Sequence, residues 1–167
     1  MQSHFSRRRA VLVAALGLAC QSANAQAPDR SISVQEIQSA RQAAERVLAL
    51  MDKAPLSKFE FDDFYANAGE ALRKRYSPAA FSHRLASVRP ALGIKSERTF
   101  YGYSGPYATL PNLISGDYVI VAFHTRFGQS QQLFTEQVTL ENDRGGRGGW
   151  NFVEYYAAPI ATTEGVQ

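Results

Sequence analysis

The chain reads as an α+β protein with N-terminal helices packed on one face of a four-stranded antiparallel sheet. Two observations carry this reading. Apolar residues recur at helical spacing through the first half and alternate every second residue through the second half. The predicted strands are also joined by segments short enough for hairpins, which favours an antiparallel meander with the helices on one side.

The first helix is announced by Ser33-Val34-Gln35-Glu36. A Ser hydroxyl at the N-cap accepts from the third helical amide while the Glu carboxylate reaches back, and Ile32 and Ile37 have staple spacing. Val34, Ile37, Ala40, Ala44, Val47, Leu48 and Met51 form one apolar stripe, which predicts a helix to about Asp52, ending before Ala54-Pro55. A second helical region is predicted over about Phe59 to Tyr76, with Gly69 as a dividing point. Ser77-Pro78 supplies an N-cap and a preset first turn for another helix, with Phe81, Leu85 and Val88 inward and a stop near Arg89-Pro90.

The strand predictions are Ile94–Tyr103, Asp117–Phe127, Gln132–Glu141 and Trp150–Ala157. In the second, Val119, Val121, Phe123, Thr125 and Phe127 alternate with Tyr118, Ile120, Ala122, His124 and Arg126. Phe134, Val138 and Leu140 mark the core face of the third. Ser104 to Ser115 reads as a long loop beside an aromatic cluster of Phe100, Tyr101, Tyr103 and Tyr107, a setting for ligand or partner contacts or for packing on its own sheet.

Residues 1–25 read as a secretory signal peptide: Arg7-Arg8-Arg9, an apolar run from Ala10 to Cys20, then Ala23-Asn24-Ala25 as the cleavage site. Periplasmic location or secretion after cleavage is the expectation. Lipidation at Cys20 is disfavoured by Gly17 three residues earlier, and Ser6-Arg7-Arg8 only partly fits a twin-arginine signal. Residues 26–32 are expected to be a flexible leader, 33–157 a single domain and 158–167 a disordered tail. The whole chain carries 18 Lys and Arg against 15 Asp and Glu, and the surplus is Arg7, Arg8 and Arg9. From Gln26 onward the formal net charge is zero, which removes the electrostatic case for nucleic acid or an anionic membrane. Cys20 is the single cysteine, so an intrachain disulfide, a cysteine-zinc cluster and a cysteine nucleophile are excluded after cleavage.

Glu136 is the strongest chemical candidate, because strand alternation places it on the face of Phe134, Val138 and Leu140. With Gln129 and Ser130 centring the turn, Phe123 stands opposite it. Arg98 reaches it across the sheet, or Arg89 from the helix end. Such a carboxylate serves as a general acid or base or a ligand clamp in a cavity, or else as half of a structural ion pair. His124 alternates to the other face and serves as a base only if the sheet encloses a second pocket. With His83 and His124 isolated, no metal site and no cofactor are expected. The single Arg144-Gly145-Gly146-Arg147-Gly148-Gly149 run reads as a hairpin loop rather than an RNA-binding repeat.

Arg89-Pro90-Ala91-Leu92-Gly93 followed by Arg98 resembles the central motif of a bacterial family of exported proteins, the domain of unknown function 4019. Gly116-Asp117-Tyr118-Val119, Thr125-Arg126-Phe127, Thr135-Glu136-Gln137-Val138-Thr139-Leu140 and Trp150 extend the likeness over roughly Val34 to Tyr156. The resemblance implies export and a curved-sheet fold of cystatin-like or nuclear-transport-factor-like type, and it supplies no established activity. Two functions follow as expectations. One is a non-enzymatic envelope module that binds a small molecule or protein, with Arg89, Arg98, Glu136, Tyr101, Tyr103 and Tyr107 as its contact residues and self-association through the sheet as one arrangement. The other is a cavity enzyme of polyketide-cyclase or isomerase type using Glu136 or His124. An accessible cavity lined by either residue favours the enzyme; a Glu136 locked to an arginine in a filled core favours the module.

Overall fold

The computed structural model describes residues 31–53, 55–128, 132–143 and 149–161, with residues 89–91 described by their backbone alone. The expectations for the signal peptide, the first residues of the leader, the Gln129-Ser130 turn, the Arg-Gly loop and the end of the tail lie outside these residues.

Helix α1 (Val34–Asp52) opens with the predicted capping box: the Glu36 amide donates to Ser33 Oγ at 3.2 Å, and the Ser33 amide donates to Glu36 Oε2 at 2.9 Å. Its buried stripe is Ala40, Ala43, Ala44, Val47, Leu48 and Met51. The small alanines and the larger Val47, Leu48 and Met51 all belong to the core packed under the sheet. The second helical region divides at Gly69, the expected dividing point, into α2 (Lys58–Ala66) and α3 (Glu70–Arg75). A second capping box, Ser57 with Glu60, starts α2. Gly69 lies between them. Its amide donates to the Phe152 carbonyl at 2.7 Å, and a Cβ there would stand 2.6 Å from Glu141 Oε2 and 2.8 Å from Val153 Cγ2. Glycine is required by this close approach rather than by backbone angle, since its φ is −60°.

Helix α4 (Pro78–Leu92) starts as predicted, with the Ala80 amide donating to Ser77 Oγ at 3.3 Å. It continues through Pro90, two residues beyond the expected stop. The missing proline N–H costs one bond in the final turn, and the chain turns only at Gly93, whose φ of +82° takes the left-handed conformation that ends helices.

The strands β1 (Lys95–Tyr107), β2 (Tyr118–Phe127), β3 (Leu133–Asn142) and β4 (Trp150–Pro159) form an antiparallel meander in the order β1-β2-β3-β4. Phe123 faces Glu136 across β2 and β3, the register expected from the turn position. β4 pairs as far as Pro159, two residues into the segment expected to fray, with Ala158 opposite Thr135. Register shifts break β1 after Lys95, Phe100 and Ser104, and one breaks the β3–β4 pair at Thr139/Leu140. Such bulges increase twist and bend the sheet.

One face of the sheet packs on the helices. Val119, Val121, Phe123, Val138, Leu140 and Phe152 meet the α1 stripe, and Phe64 and Phe81 stack near Phe152 with ring centroids 5.3–6.0 Å apart. On the other face, the β1–β2 loop folds back: Leu110, Leu113 and Ile114 cover Tyr118, whose hydroxyl donates to the Ile114 carbonyl at 2.7 Å. The loop therefore packs on its own sheet, and Tyr107 is part of that packing. Among the described residues no helix is long and apolar enough to cross a membrane.

Candidate functional site

Glu136 is wholly buried on the helix-facing side of β3. Arg98 of β1 meets it with two donors of its planar fork: Nε donates to Oε2 at 2.7 Å and a terminal nitrogen to Oε1 at 3.2 Å. Thr125 of β2 donates its hydroxyl to Oε2, and Tyr155 of β4 donates to Oε1 at 2.6 Å. The far side of the Arg98 guanidinium grips Asp52, the last residue of α1, at 2.7 and 3.1 Å. Every strand and the end of α1 thus give one side chain to a single polar knot.

Burial alone would push the Glu136 carboxyl up. The hydrogen bonds from Arg98, Thr125 and Tyr155, with the guanidinium charge, outweigh it and hold the pKa below the usual carboxylate value. Four donors on two oxygens occupy about all the lone pairs a carboxylate offers. A group so held is a weak base with no acceptor position turned toward a substrate. The ion pair expected between Arg98 and Glu136 is thus in place. Arg89 lies in the last turns of α4, where only the backbone is described.

Sequence reasoning missed three members of the knot. Thr125 was legible as the polar residue in an otherwise apolar alternation. Asp52 carried a subtler signal: an acid in the last turn of a helix faces the negative end of the dipole, and α1 has no basic residue there to offset it. Tyr155 was hidden, because the bulge at Thr139/Leu140 changes which β4 residues face the helices.

His124 lies on the opposite face of the sheet. Tyr101 stacks on it with ring centroids 4.1 Å apart and planes 23° apart. The bulge between Phe100 and Gly102 accounts for this placement, since it takes Tyr101 out of the β1–β2 pairing. Tyr101 is 67% exposed and Tyr156 on β4 is 53% exposed; Tyr103 is also exposed.

Two clefts stand out among the described residues. One, of about 620 Å³, lies where the α2–α3 junction meets the ends of β2 and β3 and is lined by polar groups including Asn67, Arg73, Asp117 and Glu141. These groups already serve the fold. Glu141 accepts from the Ala71 amide at 3.0 Å, Asp117 accepts from Asn142 Nδ2 at 3.1 Å, and Arg73 donates to the Ala66 carbonyl at 3.1 Å. The other is a slot of about 30 Å³ between α4 and β4, lined by Met51, Phe81, Leu85 and Phe152 among others. Neither cleft is lined by Glu136 or His124. Among the described residues no group of three or more His, Cys, Asp or Glu side chains is placed to hold a metal ion.

A family model described as a protein of unknown function, DUF4019, matches residues 43–155. The chain belongs to the DUF4019 family. The matched span begins inside α1 and ends at Tyr155, so it takes in Asp52, Arg98, Thr125, Glu136 and Tyr155. No curated protein matches this DUF4019 chain, and no solved structure matches it.

Proposed function

We propose that this DUF4019 protein is a non-enzymatic binding module of the bacterial envelope, exported by its N-terminal signal. The observation that supports this reading is the closure of the Glu136 knot. The most deeply buried carboxylate has its oxygens committed to Arg98, Thr125 and Tyr155 and lines neither cleft. The second catalytic candidate, His124, lies under a tyrosine ring on the face away from the helices. A cavity enzyme of the isomerase type needs one of these groups facing its substrate. Arg98 and Glu136 accordingly act as fold residues, and contact with a ligand falls to the exposed tyrosines, Tyr101 foremost.

Native mass spectrometry of the protein recovered after expression of the full chain in a bacterial host tests the reading. The recovered mass reports cleavage near Ala25. A bound mass that leaves on unfolding, and survives replacement of Glu136 by Gln, is the expected result. Turnover of that compound by the native protein, abolished in Glu136→Gln or His124→Ala while the fold is kept, would overturn it.

A further inference from the structure

The sheet face turned away from the helices carries a row pattern that no packing role accounts for. Reading across the strands, Gly102, Ala122, Gln137 and Tyr156 stand in one register row, and Thr99, His124, Thr135 and Ala158 in the next. The floor is therefore made of small and hydrogen-bonding side chains. Aromatic rings stand on either side of it, Tyr101 leaning over His124 on β2 and Tyr156 on β4. Two strand spacings, roughly 10 Å, separate β2 from β4. The tyrosine on the β1 side is held flat: the bulge frees it from the ladder, and the imidazole beneath supports one of its faces. An exposed ring left on a flexible stem would tumble; this one is preorganised with a face toward solvent.

The charges of the face are balanced. Arg126 pairs with Glu97 at 2.6 Å, and Glu154 at the rim pairs with Arg75 at 3.4 Å. A polyanion finds no uncompensated positive field there, and a polycation no negative one. A second copy of the chain is the obvious rival occupant, but homodimer interfaces are about two-thirds apolar, and here Glu97, Thr99, His124, Arg126, Thr135 and Gln137 spread polar groups among the apolar ones.

The geometry points to a neutral, polyhydroxylated chain as the ligand of this face: an oligosaccharide whose apolar ring faces lie on Tyr101 and Tyr156 and whose hydroxyls meet Gln137 and Thr135. A sugar ring presents C–H bonds on its faces and hydroxyls at its edge, the same alternation that the rings and amide floor present. This assignment rests on the binding-module reading and names its ligand class.

Native affinity electrophoresis of the protein from the full chain, in gels containing soluble neutral polysaccharides (hydroxyethylcellulose, laminarin, glycol chitin), tests it. Retardation by at least one polymer is expected. It weakens at least tenfold in Tyr101→Ala and in Tyr156→Ala, and is kept in Phe59→Ala, which removes a still more exposed ring (81% exposed) from α2 instead of the sheet. Circular dichroism confirms that each variant folds. Unchanged mobility in all three polymers overturns the assignment, as does an equal loss in Phe59→Ala. Sedimentation velocity supplies the remaining arm: a dimer that dissociates in Tyr101→Ala assigns the face to a second copy and overturns the glycan. A different bound compound found by native mass spectrometry defeats this inference while leaving the binding-module reading intact.

Discussion

Replacing Glu136 by Gln keeps the size of the side chain and removes its charge, so it isolates what the knot contributes. The amide places an NH₂ where one carboxylate oxygen stood. If it replaces Oε1, it faces the Arg98 terminal nitrogen at 3.2 Å and the Tyr155 hydroxyl at 2.6 Å. The hydroxyl can rotate to accept. The guanidinium has no acceptor and cannot. Removing one partner of a buried ion pair generally costs about 3–5 kcal/mol. Here the lower end applies, about 3 kcal/mol, because Asp52 still compensates Arg98 from the other side. Urea unfolding followed by far-UV circular dichroism reads this directly. With a slope of about 2 kcal/mol/M, the midpoint falls by roughly 1.5 M at unchanged slope. A loss below about 1 kcal/mol is the range of solvent-exposed pairs and would refute the claim that the knot is a buried anchor. A companion variant sharpens the test. Glu136→Leu alone is worse than Gln, since it strands four donors, and adding Arg98→Met recovers part of that loss by removing the two guanidinium donors left without Glu136.

Further outcomes follow from the same geometry. The Glu136 carboxyl is held below its unfolded value of about 4.3, so its contribution is complete above that pH and is lost as the pH falls through the folded pKa. Acid unfolding curves therefore steepen below about pH 4.3, and Glu136→Gln flattens that limb. Burial pushes the Tyr118 phenol up to about 12, with the Glu141 charge adding to it. The unfolded chain then loses this proton first, near pH ~10, and stability declines from there through the folded value; Tyr118→Phe has the shallower alkaline limb in pH-jump unfolding. Gly69→Ala drives a Cβ against Glu141 Oε2 and Val153 Cγ2, both in the packed end of the sheet, and lowers stability by about 1–3 kcal/mol in the same urea assay.

The parts of the fold that were legible in the sequence are those set by local chemistry and strict periodicity. The Ser33–Glu36 box fixed the start of α1, and unbroken alternation through β2 fixed which residues face the helices. The pairing of Phe123 with Glu136 followed from one turn position, because an antiparallel register has no freedom once its turn is placed. Legibility fails where the ladder slips. Tyr101 and Tyr155 both sit by bulges, and at a bulge the two-residue period that assigns faces no longer holds. Those are the residues that complete the knot on one side of the sheet and build the aromatic stack on the other. Helix α4 shows a different limit. The proline rule predicts an end near Arg89-Pro90, but so close to the C-terminus the lost bond and the crowding of the preceding turn affect little remaining helix, and Gly93 sets the stop instead. For the site, Glu136 and Arg98 were readable as a pair because each lies on a regular stretch of its strand. Asp52 was not, since nothing local places the end of α1 over β1.

A polar knot in the core has to be explained against the apolar alternative, because well-packed hydrophobic residues often match or exceed a buried ion pair in stability. Its composition supplies the reason. Arg98, Thr125, Glu136 and Tyr155 come one from each strand, and Asp52 comes from the helix that covers them. Slipping any one strand by a single residue turns its member to the opposite face and leaves the other buried groups without a partner. An apolar patch at the same place also resists a one-residue slip, but it is less able to exclude a slip of two residues, which keeps the apolar set inward; the knot, needing particular partners, opposes both. The sheet is irregular at four places, three along β1 and one between β3 and β4, where bulges interrupt the two-residue period. The knot lies among them and fixes all four strands at once. The outer rows then fall into line, so that Tyr101 meets His124 and Tyr156 stands beside Gln137. The buried carboxylate thus acts on the exposed face at a distance, by fixing the register that assembles it.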